Sequence, residues 1–180
     1  MRMLKPLALF FLILCTIHPN HALDVIEETC NKTSYPTECV KFVKSNPKYS
    51  AENPVEIAII MFNIMRDKAM STSTKISKLL AEGKARPGTP EHQALQQCAN
   101  SYNKIATSDF QRARASLPRG DAKVALDVAT YVLWKVSKCE VSFYGRAGGD
   151  IRTPLTDENN DMTVVVNIAA AIVDSFVYTI

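Results

Sequence analysis

Histidine is scarce in this 180-residue chain, and its scarcity limits the chemistry that the protein can perform. His92 is the only histidine outside the first 22 residues. A zinc cluster built on histidines, or a catalytic histidine pair, is therefore excluded. A lone histidine in the first turn of a predicted helix is usually a surface residue.

The glycines and cysteines also lack the spacings of cofactor sites. Gly145, Gly148 and Gly149 are not followed by Lys-Ser or Lys-Thr, so they do not form a phosphate-binding loop. No C-x-x-C pair occurs, and thiols that are joined in disulfides neither bind a metal nor attack a substrate. The sequence therefore predicts no metal, no cofactor and no enzymatic activity.

The first 22 residues have the order of a secretory signal peptide. Arg2 and Lys5 precede an apolar run from Leu7 to Ile17, and a short polar stretch then ends in Ala22. The run has 11 residues, which is too short for a bilayer that needs about 20. We predict that residues 1–22 are removed and that a single domain of 158 residues, 23–180, remains without a membrane anchor.

The charge of this mature chain is almost balanced, with 19 basic and 18 acidic residues. Most basic residues are interleaved with acidic or polar ones, so nucleic-acid binding is not expected. Arg112, Arg114 and Arg119 are interpreted as a solvated helix end. The alternative is that they form a contact patch for an acidic partner.

Four cysteines remain in the mature chain, and an even number behind a signal peptide indicates an oxidising, extracellular destination. Cys98 and Cys139 lie symmetrically about the turn signal Pro118–Gly120, so two antiparallel helices joined there place both sulfur atoms at one height. Cys30 and Cys39 flank a proline-containing turn in the same way and can close a short hairpin. Of the three possible connectivities, the sequence favours these two local pairs.

A single N-glycosylation sequon, Asn31-Lys32-Thr33, agrees with an extracellular destination. Asn31 is therefore the predicted glycosylation site. Its neighbour in the chain is a predicted disulfide cysteine, which can hinder attachment of the sugar.

Four segments combine a helical period of apolar residues with a capping residue at the start. The predicted caps are Asn53, Thr89, Asp121 and Thr156. A proline follows the cap in the first two segments, as is common in the first turn of a helix. The first helix is predicted to run to about Glu82 and the second to Leu117. The pattern predicts an all-α fold, an up-down-up-down four-helix bundle preceded by a helical hairpin.

The fourth segment, Met162–Ile180, also resembles the removable tail of a lipid-anchor signal. Polar residues recur in it at helical intervals, however, and leave an apolar face on the opposite side. These polar residues are Asn160, Thr163, Asn167 and Asp174. An amphipathic helix of the bundle is therefore the better interpretation.

Two groups of residues in the predicted helices could suggest chemistry, but each has a simpler structural interpretation. Asp157, Glu158 and Asp161 lie at the start of the fourth helix, where carboxylates interact favourably with the helix dipole. Tyr131 and Trp134 lie within the third helix and are interpreted as core or inter-helix packing.

Together these features resemble the plant invertase and pectin methylesterase inhibitor family, over essentially the whole mature chain. The resemblance is carried by the T-C-x8-C opening from Thr29 to Cys39, by Gln96-Gln97-Cys98, by Lys138-Cys139-Glu140 and by the Asp-Glu-Asn-Asn segment before the last helix. The second half, with Thr153-Pro154-Leu155-Thr156 and Glu158-Asn159, is most similar to pollen proteins described as invertase inhibitors.

The resemblance implies a secreted four-helix bundle in the apoplast or the vacuole that plugs the cleft of a carbohydrate enzyme. In the family's invertase inhibitors, a Pro-Lys-Phe motif just after a Gly-Asp turn enters the active site. The matching segment here is Gly120-Asp121-Ala122-Lys123-Val124, in which Lys123 is kept while Ala122 and Val124 replace proline and phenylalanine. An ammonium group at this place can engage the paired carboxylates of a glycoside hydrolase. The alternative is that Lys123 is a solvated first-turn residue.

Three functional hypotheses follow from the sequence. The first is an inhibitor of an acid invertase (beta-fructofuranosidase), and the second is a pectin methylesterase inhibitor of the same fold that uses a broad helical face. The third is a secreted binding or allergen-like protein without inhibitory activity. In the first two, the expected partner is another protein.

Overall fold

The computed structural model describes residues 25–46, 51–83, 85–144 and 153–177. The predicted signal peptide and most of the glycine-containing connection before the last helix lie outside the described residues. Within them the regular structure is helical, with α1 (25–30), α2 (Pro36–Lys44), α3 (Pro54–Ala81), α4 (Pro90–Lys104), a π-helical turn (Ile105–Asp109), α5 (Phe110–Ser116), a 3-10 turn (Leu117–Arg119), α6 (Ala122–Val141) and α7 (Thr156–Val177).

The first two predicted caps are confirmed. The side chain of Asn53 accepts the backbone N–H of Glu56 at 3.0 Å, and Thr89 Oγ1 accepts the N–H of His92 at 3.2 Å. In both helices a proline occupies the first turn, where a backbone N–H would have no hydrogen-bond partner within the helix. The starts of α3 and α4 are therefore determined by local sequence.

The other two caps differ from the prediction. Asp121 precedes α6 as expected, but its carboxylate accepts no hydrogen bond from the first turn. Thr156 is itself the first residue of α7, and its hydroxyl group accepts the N–H of Thr153 and donates to Glu140. Tertiary contacts therefore replace local capping at the start of α7.

The predicted second helix is interrupted by the π-helical turn at Ile105–Asp109. A π-helical turn holds more residues than an α-helical turn, so it shifts which side chains face the core. Within this turn Ile105 is fully buried, Ala106 is half-buried, and the polar Asp109 is buried as well. The chain returns to α-helical geometry at Phe110.

The turn predicted at Pro118–Gly120 is confirmed, and it has the geometry of a Schellman motif. Gly120 has a φ of 76°, in the left-handed region that glycine adopts without strain. The N–H of Asp121 donates to the carbonyl of Ser116 at 3.1 Å, and the N–H of Gly120 donates to Leu117 at 3.0 Å. The chain therefore reverses sharply between α5 and α6.

The four long segments form the predicted antiparallel bundle. Helix α3 packs against α4 and α7, and α6 packs against α4, α5 and α7. Their apolar faces enclose one continuous core whose largest fully buried side chains include Phe62, Met61, Leu95, Tyr102 and Met162.

Helix α7 is the one helix of the described residues that is long and apolar enough to cross a membrane, judged by length and composition alone. It lies between α3 and α6 and buries Met162, Val165, Ala169 and Ile172 in the core. Near its N-terminus Glu158 pairs with Lys75 at 2.7 Å and Asp161 pairs with Lys68 at 2.8 Å, both lysines being on α3. The amphipathic interpretation of this segment is thus confirmed.

The structure contains both predicted disulfides. Cys98–Cys139 joins α4 to α6 with a Cα–Cα distance of 4.9 Å, and Cys30–Cys39 closes the α1–α2 hairpin with a Cα–Cα distance of 5.5 Å. Helix α2 packs on α3, so the hairpin is attached to the outside of the bundle.

The two disulfides are expected to stabilise the fold unequally, because they close loops of different length. The sequence separation is 41 residues for Cys98–Cys139 and 9 for Cys30–Cys39. By loop-closure entropy, replacing Cys98 and Cys139 together by serine should lower the free energy of unfolding by about 4 kcal/mol, against about 3 kcal/mol for the hairpin pair. Urea denaturation followed by circular dichroism measures both values, and a larger loss for the hairpin pair would contradict the argument.

Candidate functional site

The predicted target-contact segment, Gly120–Val124, comprises the end of the reversal between α5 and α6 and the first turn of α6, at one end of the bundle. Gly120, Asp121 and Lys123 are exposed and Val124 is half-buried. Ala122, however, is only 7% exposed and faces the core. The predicted contact role of Ala122 does not fit this burial, because a side chain in the core cannot reach another protein.

The side chain of Lys123 is 77% accessible. Its ammonium group lies 3.5 Å from both carboxylate oxygens of Asp127, one helical turn further along α6. Exposed ion pairs of this kind contribute only about 0.3–0.5 kcal/mol. Lys123 can therefore exchange Asp127 for an external carboxylate at little cost.

Arg112 and Arg114 of α5 and Arg119 of the following turn are all exposed, as predicted. Arg114 also lines a groove of about 450 Å³ together with Ile59, Phe110 and Pro118. The guanidinium group of Arg66 stands over the Phe110 ring, 4.8 Å from its centroid. The groove thus combines an apolar floor with positive charge near the α5–α6 turn.

The interpretation of Tyr131 and Trp134 as packing residues is wrong, because both side chains are about half exposed, at 51% and 52%. Their rings stack at a centroid distance of 5.4 Å and an interplanar angle of 7°. The pair lies on the outward face of α6, opposite a buried stripe of valines and alanines. The exposure could have been predicted from the sequence, because both aromatic residues lie on the same face of the helix as the charged residues Lys123, Asp127 and Lys138.

Lys135 lies below this aromatic pair and is buried, with 6% of its side chain exposed. Its ammonium group donates a hydrogen bond to the carboxylate of Asp109, which the π-helical turn presents to α6. The same ammonium group is 4.4 Å from the centroid of the Tyr131 ring. A buried ion pair therefore supports the exposed aromatic residues from inside the bundle.

At the opposite end of α6, the carboxylate of Glu140 is the centre of a polar network. Thr156 donates to Oε1 at 2.6 Å, Thr153 donates to Oε2 at 3.1 Å, and the side-chain amide of Asn159 also donates to Oε2. Tyr144 adds a fourth donor at 3.1 Å. Burial by itself would raise the pKa of Glu140, but these four hydrogen bonds outweigh it and lower the pKa below its ordinary value of 4.5.

Tyr102 of α4 extends the network into the core, where its hydroxyl group donates to Asn159 Oδ1 at 2.6 Å. Burial, and after it the negative charges of Glu158 and Glu140, raise the pKa of Tyr102. The phenol therefore remains protonated and acts as a donor. The network joins α4, α6 and α7 and has a structural purpose.

Asn31, the predicted glycosylation site, is exposed in the turn after α1. The hydroxyl group of Thr33, the third residue of the sequon, donates to the carbonyl of Cys30 at 2.8 Å and accepts the N–H of Tyr35 at 3.2 Å. The asparagine side chain is thus accessible in the folded protein while the threonine is part of the hairpin turn.

The described part of the chain contains no group of three or more histidine, cysteine, aspartate or glutamate side chains that could hold a metal ion. His92 is half-buried, and its Nδ1 lies 3.2 Å from the carbonyl oxygen of Ala85 in the preceding loop. Its contact within the described residues is therefore a structural one.

Comparison with known proteins gives a consistent family. A family model described as plant invertase/pectin methylesterase inhibitor matches residues 24–172. The cell wall / vacuolar inhibitor of fructosidase 1 of Arabidopsis thaliana is 27% identical over 149 residues, which cover 83% of this chain and 67% of that protein.

Two crystal structures share the fold. A pectin methylesterase inhibitor from Arabidopsis thaliana superposes with a TM-score of 0.58 at 19% identity, covering 83% of this chain and 93% of that chain. Mutant form A of a pectin methylesterase inhibitor from Arabidopsis gives a TM-score of 0.64 at 19% identity, covering 81% and 92%. At this identity the likeness concerns the fold alone.

The Glu140 network predicts a specific dependence of stability on pH. Because the pKa of Glu140 is lowered in the folded state, the Glu140 carboxylate stabilises the fold fully above pH 4.5. This contribution is lost as the pH falls through the lowered pKa. Glu140→Gln should cost about 1 to 2 kcal/mol at neutral pH, since charge-assisted hydrogen bonds are lost. The difference from the wild type should shrink in acid.

Thermal unfolding of both proteins between about pH 3 and pH 7 measures this difference. The matched control is Glu91→Gln, which alters an exposed carboxylate in the first turn of α4. A Glu140→Gln deficit that stays constant across the pH range would contradict the assignment.

Proposed function

The chain belongs to the plant invertase and pectin methylesterase inhibitor family, and we propose that it is a secreted inhibitor that blocks the active-site cleft of a plant acid invertase. The observation that carries this proposal is the match over most of the chain to an inhibitor of fructosidase. The exposed lysine at the α5–α6 turn supports it, because that turn matches the position of the family's inhibitory motif. In this proposal the protein has no catalytic activity of its own.

Lys123 is the proposed contact with the cleft. Glycoside hydrolases use a pair of carboxylates, and an ammonium group can form charge-assisted hydrogen bonds with them. Lys123 lies in the first turn of α6, next to the sharp turn at Gly120, and about three quarters of its side chain is accessible. Gly120, Asp121 and Val124 complete the proposed contact segment around it.

Pectin methylesterase inhibition is the second candidate function. The family includes pectin methylesterase inhibitors, and the replacement of the motif's proline and phenylalanine by Ala122 and Val124 leaves Lys123 as the one motif residue that matches an invertase inhibitor. The same replacement is compatible with a protein that binds without inhibiting. Direct inhibition measurements separate the three functions.

For localisation, we propose that residues 1–22 direct the protein to the secretory pathway and that it reaches the cell wall or the vacuole. The four cysteines that are paired in two disulfides support an oxidising compartment. Exposure of Asn31 supports a glycan at that position. The N-terminal residue and the intact mass of protein secreted by plant cells report both processing steps.

The central test is to measure inhibition by this secreted protein against a purified cell-wall invertase and a purified pectin methylesterase, at acidic pH. We expect inhibition of the invertase and a weaker effect, or none, on the methylesterase. The protein alone should hydrolyse neither sucrose nor pectin, because its described residues offer no activated nucleophile. Selective inhibition of the methylesterase would replace the proposal by the second candidate, and inhibition of neither enzyme would favour the non-inhibitory function.

The Lys123→Glu variant tests the contact residue. A negative charge at this position should repel the carboxylates of the cleft, and loss of a buried interfacial charge pair costs about 2 to 5 kcal/mol, or thirtyfold and more in the inhibition constant. The fold should be retained, since an acidic residue in a first turn suits the helix dipole. Circular dichroism checks the fold.

A matched control is Lys78→Glu. Lys78 is 75% exposed and pairs with Glu82 across one turn of α3, as Lys123 pairs with Asp127 on α6, but it lies near the opposite end of the bundle. Equal inhibition constants for the wild type and for folded Lys123→Glu would place the contact elsewhere. Equal losses in both lysine variants would indicate a general charge effect.

A further inference from the structure

We infer that the stacked pair Tyr131–Trp134, together with Lys138, is a second contact surface for the inhibited invertase. We call these three residues the α6 ladder. The inference rests on the proposed function, and it extends the contact from the tip of the bundle along the outward face of α6.

The side chains of the α6 ladder already contact one another in the unbound protein. The ammonium group of Lys135 lies 4.4 Å from the Tyr131 centroid, the Tyr131 and Trp134 rings are stacked, and Lys138 Nζ lies 5.8 Å from the Trp134 centroid. Because Lys135 is buried and bonded to Asp109, the column is attached at its base to the bundle core. Rings that are already ordered lose little conformational entropy on binding.

Tyrosine and tryptophan are buried to a large extent in most folded proteins, so the exposure of this pair is unusual. Tyr131 and Trp134 are both about half exposed on a regular helix that buries its apolar stripe elsewhere. Tyrosine and tryptophan are enriched among the central residues of protein interfaces, whereas lysine is depleted, so the two rings would form the centre of such a contact and Lys138 its polar rim. The pair therefore indicates a protein-binding surface.

The arrangement of charges identifies the kind of partner. The two rings stack on each other, and an ammonium group lies over each ring. Their faces are therefore occupied and cannot easily stack on a sugar ring. Their edges remain available for contact with a protein. Lys138 is exposed at one end of the ladder, and Lys123 is exposed further along the same helix together with its partner Asp127, so the charges of these three residues sum to +1. A protein wall that carries carboxylates, such as the rim of a glycosidase cleft, is complementary to this surface.

The α6 ladder and the proposed Lys123 contact can engage one partner at the same time. Eleven residues separate Lys123 from Trp134, which is about three turns and about 16 Å along an α-helix, so the two side chains project within about 20° of each other. An interface of ordinary size, about 800 Å² on each partner, spans this distance. A single docking event can therefore bury both.

Trp134 is the only tryptophan of the chain, so it provides a direct probe of this contact. Fluorine NMR of protein labelled with 5-fluorotryptophan gives one resonance, and we expect it to shift and broaden when unlabelled acid invertase is added. Trp134→Ala should raise the inhibition constant about tenfold or more, as truncation of a central aromatic residue does. Trp134→Phe should recover part of the loss.

The matched control is Met70→Ala, which truncates a side chain that is 56% exposed on α3. Its inhibition constant should stay within about twofold of the wild-type value, as expected for a residue outside the interface. Circular dichroism confirms that each variant is folded.

The outcomes separate this inference from the proposed function. If the wild type inhibits invertase but the Trp134 resonance is unchanged and Trp134→Ala inhibits normally, the inference is overturned and the proposed function stands. If the wild type neither binds nor inhibits invertase, both are overturned. A shift of the resonance with sucrose or with oligogalacturonate alone would assign the α6 ladder to glycan binding. A shift with pectin methylesterase only would assign it to that enzyme. Either result overturns the inference.

Discussion

The hydrogen-bonded carboxylate of Glu140, next to the Cys98–Cys139 disulfide, is the constraint on which the arrangement of the bundle depends. The disulfide joins α4 to α6, and the carboxylate joins α6 to Thr153, Thr156 and Asn159 at the start of α7. Two adjacent residues therefore hold three of the four long segments together at one end. The turn at Gly120 lies at the other end of α6, away from these contacts.

Local sequence signals predicted two helix starts and the sharp turn between α5 and α6 correctly. Asn53 and Thr89 cap their helices as predicted, and Gly120 makes the reversal that its left-handed conformation allows. One local prediction failed, the side-chain cap at Asp121, and the other failures concern contacts between segments distant in the chain. Nothing near Asp109 in the sequence shows that its carboxylate will meet Lys135, and nothing near Thr156 shows that its hydroxyl group will bind Glu140.

The target-contact segment shows what a family motif can specify and what it leaves out. The resemblance identified the position of Lys123, and the structure gives that residue the exposure the role requires. Ala122, by contrast, occupies the first residue of α6 with its side chain in the core. A proline at such a position fixes the backbone at the helix start. Its replacement by alanine therefore alters the rigidity of the turn more than the chemistry of the contact surface.

The π-helical turn at Ile105–Asp109 also has a consequence for how the chain tolerates insertions and deletions. It accommodates a one-residue surplus inside a long helix, and deletion of one residue there would allow a continuous α-helix to form. Each residue of an α-helix rotates the following chain by about 100°. A deletion elsewhere in α4 would therefore turn Phe110 away from the core and re-aim the α5–α6 reversal. A deletion at the π-helical turn would not, because it removes the surplus residue and leaves Phe110 on the buried face, so this turn is where the chain can change length without moving a distant lysine.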